Sequence, residues 1–447
     1  MKIIVAWAGE TGTHLTKLFS EDNHEITVID ESEERLNSLG AELDILTVLG
    51  EPTSISVLEK AGAGKADLFI AVTPSQDSNI VACILANRLG SAQTIARIDN
   101  HEYLQKAQRD FFAELGINFM IFPERTAAKE IENMINQSVL NDLVDFSGGK
   151  LSLLMLRIEE FSVFTGKKLS ELFFNKTNMS LRVVAISRDG NTIIPRGDDM
   201  LLPNDTAYIV SNHTGIRMIK EMCVKPHKTL HNVMIMGGSR IGRMVAKDLE
   251  KHYNVKLLEA DKDKAYRISN FLNHSLIIHG DGTKIDILLE EGLKNTDAFV
   301  AVTGNSETNI LSCMLAKQEG VPRVIAEIEN LDYLPLAQKM GIDSVINKKL
   351  ITASYIFQFT LDDNISLVKT LTGSTGAEVM EFIVKKDSAI TKNTLSNTEF
   401  PKGAIIGGVI RGDISFVADG NTLILPQDHV IVFTLPAAES RVKKIFS

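Results

Sequence analysis

Set against itself at an offset of 230 residues, the sequence repeats. Phe69-Ile70-Ala71-Val72-Thr73 meets Phe299-Val300-Ala301-Val302-Thr303, Asn79-Ile80 meets Asn309-Ile310, and Cys83 meets Cys313. Further on, Thr94-Ile95-Ala96-Arg97-Ile98-Asp99-Asn100 meets Val324-Ile325-Ala326-Glu327-Ile328-Glu329-Asn330, and Tyr103-Leu104 meets Tyr333-Leu334. A match held at one offset over more than thirty residues is a duplication. A period this long means copies of a whole domain rather than the turns of a solenoid.

Within each copy, short apolar runs alternate with amphipathic stretches. In the first, strands are read at 2–6, 25–29, 44–48, 67–72 and 93–98, with helices at 11–20, 32–39, 53–62 and 76–89. The strands are continuous Ile/Val/Leu runs, as parallel strands covered on both faces require. The alternation predicts βαβ units in a doubly wound sheet. The rest of each copy reads as short strands broken by turns. These lie at 151–157, 181–187, 191–194 and 206–210, and again at 378–384, 404–411, 414–417 and 429–433. Turns are signalled at Asp189-Gly190 and Pro203-Asn204-Asp205, then at Gly412-Asp413 and Pro426-Gln427-Asp428. The fold class expected is therefore α/β: two Rossmann-like doubly wound parallel-sheet domains, each followed by a small α+β module. A polar helix at 125–143 and its counterpart at 350–361 connect the parts, and Val224-Lys225-Pro226-His227-Lys228 is a hinge between the halves. The expected domains are 1–125, 126–222, 230–349 and 350–447.

Charge and cysteine content narrow the function. With 47 Lys+Arg against 57 Asp+Glu, the net charge of −10 argues against broad nucleic-acid binding. Three cysteines without a CxxC fit a reducing compartment. Neither a signal peptide nor an apolar run of about 18 residues is visible, so a cytoplasmic protein is expected.

Each first strand runs into a glycine-rich turn and then a helix, the context in which a dinucleotide fingerprint carries meaning. The second copy reads Gly237-Gly238-Ser239-Arg240-Ile241-Gly242, and the first reads Trp7-Ala8-Gly9-Glu10-Thr11-Gly12. The first glycine permits the tight turn, the second lets the backbone approach phosphate, and the third packs helix on strand. The helix N-terminus then offers N–H groups and the positive end of its dipole. Ser239 stands at the second position of one copy. Trp7, the only tryptophan, stands at the first position of the other. Its indole either packs over a nucleotide or obstructs the site. An acidic residue about 20 positions on should meet the ribose hydroxyls. Asp30 and Glu259 end the second strands and suit that role, the alternative being a cap on the following helix.

Thr73-Pro74 and Thr303 follow the fourth strands, where ligands of open α/β sheets bind. Arg97 ends the fifth strand of the first copy, placed either to reach a phosphate or to pair with Asp99 or Glu102. Its counterpart is Glu327, so the two sites cannot bind one ligand in the same way. The small modules carry no His/Asp, Ser/His or Cys/His constellation, and no metal-ligand spacing occurs. Cys83 and Cys313 read as apolar core. Duplicated nucleotide sites without catalytic groups fit a sensor whose conformation a partner reads. An NAD-dependent oxidoreductase with a duplicated fold is the alternative.

The motifs KIIVAWAGETGTHLTKLF, LFIAVTPSQDSNI and TIARIDN, with MIMGGSRIGRMVAKDLE, HGDGT and AVTGNSETNI in the second half, resemble the regulatory-subunit family of Trk-type potassium uptake systems. The resemblance covers essentially the whole chain. It implies tandem RCK modules, each a Rossmann-like N-domain with a C-terminal subdomain, and binding of NAD(H) and ATP/ADP. It also implies a homotetramer on the cytoplasmic face of the inner membrane, beneath an integral-membrane potassium-translocating Trk subunit. Carried to matching positions, the first site comprises Trp7 to Gly12, Asp30, Thr73, Pro74 and Arg97. The second comprises Gly237 to Gly242, Glu259, Thr303 and Glu327. Trp7 departs from the family's glycine.

Overall fold

The computed structural model describes residues 1–447 except 22–23, 137–140, 159, 161, 171–180, 189–190, 224–229, 358, 360–364, 371–376 and 447. The turn at Asp189-Gly190 and the hinge at 224–228 lie outside the described residues.

The first copy runs β1 (Lys2–Ala6), α1 (Glu10–Glu21), β2 (Glu25–Asp30), α2 (Glu33–Glu42), β3 (Leu46–Leu49), α3 (Ile55–Lys60), β4 (Leu68–Ala71), α4 (Gln76–Leu89), β5 (Gln93–Arg97), α5 (Lys106–Glu114), β6 (Phe119–Ile121) and α6 (Pro123–Asn136). Its small module follows as β7 (Asn141–Phe146), β8 (Leu151–Arg157), β9 (Leu181–Arg188), β10 (Asn191–Ile193), β11 (Thr206–Ser211) and α7 (His213–Cys223). The second copy runs β12 (Asn232–Met236), α8 (Arg240–Leu249), β13 (Asn254–Glu259), α9 (Lys262–Ser269), β14 (Leu276–His279), α10 (Ile285–Glu290), β15 (Ala298–Ala301), α11 (Ser306–Gln318), β16 (Arg323–Glu327), α12 (Leu334–Lys339), β17 (Ser344–Ile346) and α13 (Lys348–Phe357). Its module holds β18 (Ile365–Thr370), β19 (Glu378–Ile383), β20 (Ala404–Arg411), β21 (Ile414–Phe416), β22 (His429–Thr434) and α14 (Pro436–Phe446).

The two large sheets have one topology, β3-β2-β1-β4-β5-β6 and β14-β13-β12-β15-β16-β17, parallel throughout. The central strands β1, β4, β12 and β15 are buried from Ile3, Leu68, Val233 and Ala298 onward, which is why they read as unbroken apolar runs. The strand order reverses beside β1 and β12, and the crevice between their C-terminal ends and those of β4 and β15 is the fold's ligand position. Both small sheets are antiparallel, ordered β10-β9-β11-β8-β7 and β18-β19-β22-β20-β21.

The chain forms two compact units, Met1–Asn136 with Leu230–Thr360, and Gln137–Thr229 with Leu361–Ser447. In the first unit the copies exchange their connecting helices. Ala127, Ala128, Ile131 and Ile135 of α6 form one stripe at helical spacing, and it is buried against Ile241, Val245 and Leu249 of α8 in the other copy. Reciprocally, Ala353 and Ile356 of α13 enter the first copy's core, and Phe357 stacks on Phe19 with centroids 5.8 Å apart. Each buried isoleucine adds roughly 1.5–3 kcal/mol to the exchange. The helix read at 125–143 therefore ends at Asn136, and the chain is already a strand at Asn141. Its counterpart, read at 350–361, begins at Lys348 and ends at Phe357.

In the second unit the modules share a core in which Phe146, Leu153 and Tyr208 meet Val379, Ile431 and Phe433. Each module repeats one buried ion pair. The Arg188 Nε and Nη2 donate to the two carboxylate oxygens of Asp205 at 2.8 and 2.7 Å, and Arg411 does the same to Asp428 at the same distances. Both aspartates are 1% exposed.

Candidate functional site

At the switch point of the second sheet, β12 ends in Gly237, whose φ of +109° only glycine adopts without strain. A Cβ there would lie 2.9 Å from the Val302 carbonyl, and one on Gly242 would overlap the Gly237 carbonyl, so both glycines are needed for turn and helix to close on the sheet. Ser239 caps α8, its Oγ accepting the Gly242 N–H at 3.2 Å. The N–H groups of Arg240 and Ile241 stand in the first turn, where no intrahelical acceptor exists.

Glu259 closes the other side. One carboxylate oxygen accepts the Gly238 N–H at 3.0 Å and the other accepts the Asp261 N–H at 3.0 Å, while the Lys264 ammonium lies 2.6 Å away. Burial alone would raise this carboxyl, but the Asp261 N–H, the Lys264 ammonium and the Gly238 N–H together hold it below its usual range. Glu259 does not cap the next helix, because Asp261 does so through the Lys264 N–H at 2.7 Å. Asp30 repeats the arrangement, accepting from Ala8 at 2.6 Å and Ser32 at 2.7 Å, while Ser32 caps α2. Both acids thus tie the end of the second strand to the glycine turn.

The second turn opens on a cavity of about 480 Å³ lined by Gly237, Ser239, Glu259, Lys264, Asp281 and Thr303 among others, within the size range of small-molecule sites. Thr303 is fixed by Asn309, whose Oδ1 accepts the Thr303 N–H at 3.0 Å and hydroxyl at 2.6 Å, and whose Nδ2 donates to the Glu327 carbonyl at 2.8 Å. Thr73, Asn79 and Arg97 make the same knot in the first copy. Sequence reading passed over these asparagines as site residues, although Asn79 and Asn309 were among the matched positions. Pro74 is exposed in the loop after β4.

The first site departs from this plan. Trp7 takes φ +102°, nearly that of Gly237, at a strain on the order of 1–3 kcal/mol for a non-glycine residue. Its N–H donates to the Ile29 carbonyl at 2.7 Å, so the backbone of the turn is kept. The Arg35 guanidinium lies 4.6 Å from the indole centroid, a cation–π contact. Arg97 donates to the Thr73 carbonyl at 3.0 Å rather than to a carboxylate. Asp99, one of its two expected ion-pair partners, instead faces Arg240 of the second phosphate turn at 3.5 Å. Glu10 forms an ion pair with Lys349 of α13. Each glycine turn therefore touches the opposite copy through one charged residue, Glu10 or Arg240.

Glu327 is 4% exposed, with the Lys348 ammonium 3.8 Å away. Burial pushes its carboxyl up to about 7; Lys348 opposes the shift, while Glu329 and Glu124 add to it. Because the unfolded carboxyl titrates near 4.5, the folded chain holds the extra proton between about 4.5 and 7, and stability falls as pH rises through that window. Glu327→Gln should flatten this fall, stabilising the protein by on the order of 3 kcal/mol at pH 8 and leaving it unchanged at pH 4. Unfolding followed against pH checks it, and parallel curves for the two proteins would contradict it.

Among the described residues no group of three or more His, Cys, Asp or Glu gathers as a metal site. Cys83 and Cys313 are buried, which pushes both thiols up, and they donate to the Ile95 and Ile325 carbonyls at 3.4 and 3.3 Å. No helix among the described residues is long and apolar enough to cross a membrane.

Two parallel Rossmann-like sheets with glycine turns at their switch points, each followed by a small antiparallel module, define the fold that the GsuK RCK domain shares, at a TM-score of 0.61 and 16% identity over 100% of this chain and 94% of that one. Residues 3–123 and 233–348 match the TrkA-N domain family, and residues 153–224 and 379–447 match the TrkA-C domain family. The chain belongs to the TrkA family. It is 31% identical to Trk system potassium uptake protein TrkA homolog 1 of Methanosarcina mazei over the whole of both chains. It is also 31% identical to Trk system potassium uptake protein TrkA of Vibrio alginolyticus over 97% of this chain and 95% of that one. The GsuK channel bound to NAD shares the fold, with a TM-score of 0.61 and 17% identity over 100% of this chain and 78% of that chain. GsuK bound to ADP matches at a TM-score of 0.50 and 14% identity over 80% of this chain and 68% of that one.

Proposed function

We propose that this chain is the cytosolic, non-catalytic regulatory subunit of a Trk-type potassium uptake system. In this reading it binds NAD(H) or ATP/ADP and assembles as a homotetramer on the cytoplasmic face of the inner membrane. There it gates an integral-membrane potassium-translocating subunit. The observation that carries the reading is the second site: a glycine turn, a helix N-terminus and the Glu259 carboxylate converge on one cavity. There the first-turn N–H groups of Arg240 and Ile241 would face phosphate and Glu259 the ribose hydroxyls, with Thr303 on the wall; Glu327 is buried behind Thr303 and does not line the cavity, its carbonyl holding Asn309. Asp30, Thr73, Pro74 and Arg97 hold the matching positions around Trp7 to Gly12. A bound nucleotide supplies no reaction in this scheme; its binding energy biases a conformational equilibrium that the membrane partner reads. The Trk potassium uptake relatives support the potassium partner, and GsuK bound to NAD and GsuK bound to ADP support those ligand classes. Calorimetric titration with NADH, ADP and ATP should give saturable binding of at least one, with no turnover of nicotinamide. Absence of heat with all three would refute the reading.

A further inference from the structure

The indole of Trp7 is not turned away from the first phosphate turn. A Cβ on Gly9 would overlap the indole Nε1 and lie 2.7 Å from Cδ1, so the ring edge rests on the backbone of the turn itself. The Arg35 guanidinium lies over the indole, 4.6 Å from its centroid, and also lies 3.7 Å from the Asp30 carboxylate. Arg35 stands five residues past Asp30, as Lys264 stands five past Glu259, and Lys264 lines the cavity of the second site. The indole thus fills the space between glycine turn, acidic residue and basic residue that the second copy leaves open. Next to it, the helix begins with Glu10, where the second copy begins with Arg240. Glu10 is held there by Lys349 of the other copy, and it sets a negative charge at the helix end a phosphate would need positive.

From these two observations we infer that the chain fills its own first site. Trp7 occupies the ligand's space, beside a helix that opens on an ion-paired Glu10 rather than on arginine, so each chain binds one nucleotide, at the second site. This rests on the reading of the second site given above. The first copy then serves as a fixed partner against which the second responds, through the Arg240–Asp99 contact.

Because Trp7 is the only tryptophan, its emission reports on the first site alone. Saturating ADP should leave the Trp7 emission of Glu259→Ala unchanged, and calorimetry should count one nucleotide per wild-type chain, at most one, bound about 100-fold more weakly, for Glu259→Ala and two for Trp7→Gly. Glycine suits the positive φ at this position, so Trp7→Gly should fold; the fluorescence arm tests the claim without that variant. Two nucleotides per wild-type chain, or an ADP-dependent change in Trp7 emission in Glu259→Ala, would overturn the inference while leaving nucleotide regulation intact. No binding to wild type with one per chain for Trp7→Gly would keep the self-filled site and remove the second-site reading. No binding to either protein would remove both.

Discussion

Glu259→Ala should weaken nucleotide binding by about 100-fold. The carboxylate already accepts two backbone N–H groups and pairs with Lys264, but a carboxylate has about four lone-pair sites. With Lys264 on a third, about one remains for a ribose hydroxyl, and charge-assisted bonds of this kind contribute roughly 1.5–3 kcal/mol each. Alanine removes that bond and also releases the Gly238 N–H, which loosens the turn that faces the phosphates. Glu259→Gln keeps the size and one good acceptor, so its loss should be nearer 10-fold, with the fold retained. Titration of both variants separates the effects. Equal affinity of wild type and Glu259→Ala would show that the carboxylate serves the turn and not a ligand.

Arg411→Ala should destabilise the second small module by about 3–5 kcal/mol, because it strands Asp428 at 1% exposure with only the Leu425 N–H left to its carboxylate. Arg411 forms two parallel bonds to Asp428 and a third to the Leu423 carbonyl, 2.8 Å away. Lysine at this position keeps the charge but not the fork, so Arg411→Lys should fall between alanine and wild type. Arg188→Ala should repeat the loss in the first module, where the carbonyl is that of Met200. Urea unfolding measures the change, and a loss below about 1 kcal/mol would mean that water replaces the arginine.

The parallel sheets were legible because their central strands are buried on both faces and so carry long apolar runs. The sixth strands escaped notice because Phe119–Ile121 and Ser344–Ile346 are three residues each, too short for a periodic signal. The strand β7 escapes because the connecting helix read at 125–143 runs across its start at Asn141; β18, preceded by Asp362-Asp363-Asn364, was missed despite that turn signal. Helix exchange could not be read at all: Ala127, Ala128, Ile131 and Ile135 show that α6 has an apolar face, not which copy that face covers. At the site, the turns and both acids were found by spacing. The role of those acids in tying the turn down was not, because Ala8 and Gly238 contribute only backbone N–H groups, which leave no trace in a sequence. Arg188 and Arg411 were passed over since each bond closes a gap of 17 residues between neighbouring strands. Trp7 was recognised as out of place, but whether its indole lies over the turn or away from it is decided by packing with Arg35.

The proposed control of potassium flux runs through the second nucleotide site. Its most direct test is potassium flux through the membrane subunit of the same Trk system in vesicles, with this chain bound and NADH or ADP added or withheld. Nucleotide should change the flux with the wild-type chain and leave it unchanged with Glu259→Ala. The same flux with and without nucleotide for the wild-type chain, or an undiminished response with Glu259→Ala, would contradict it.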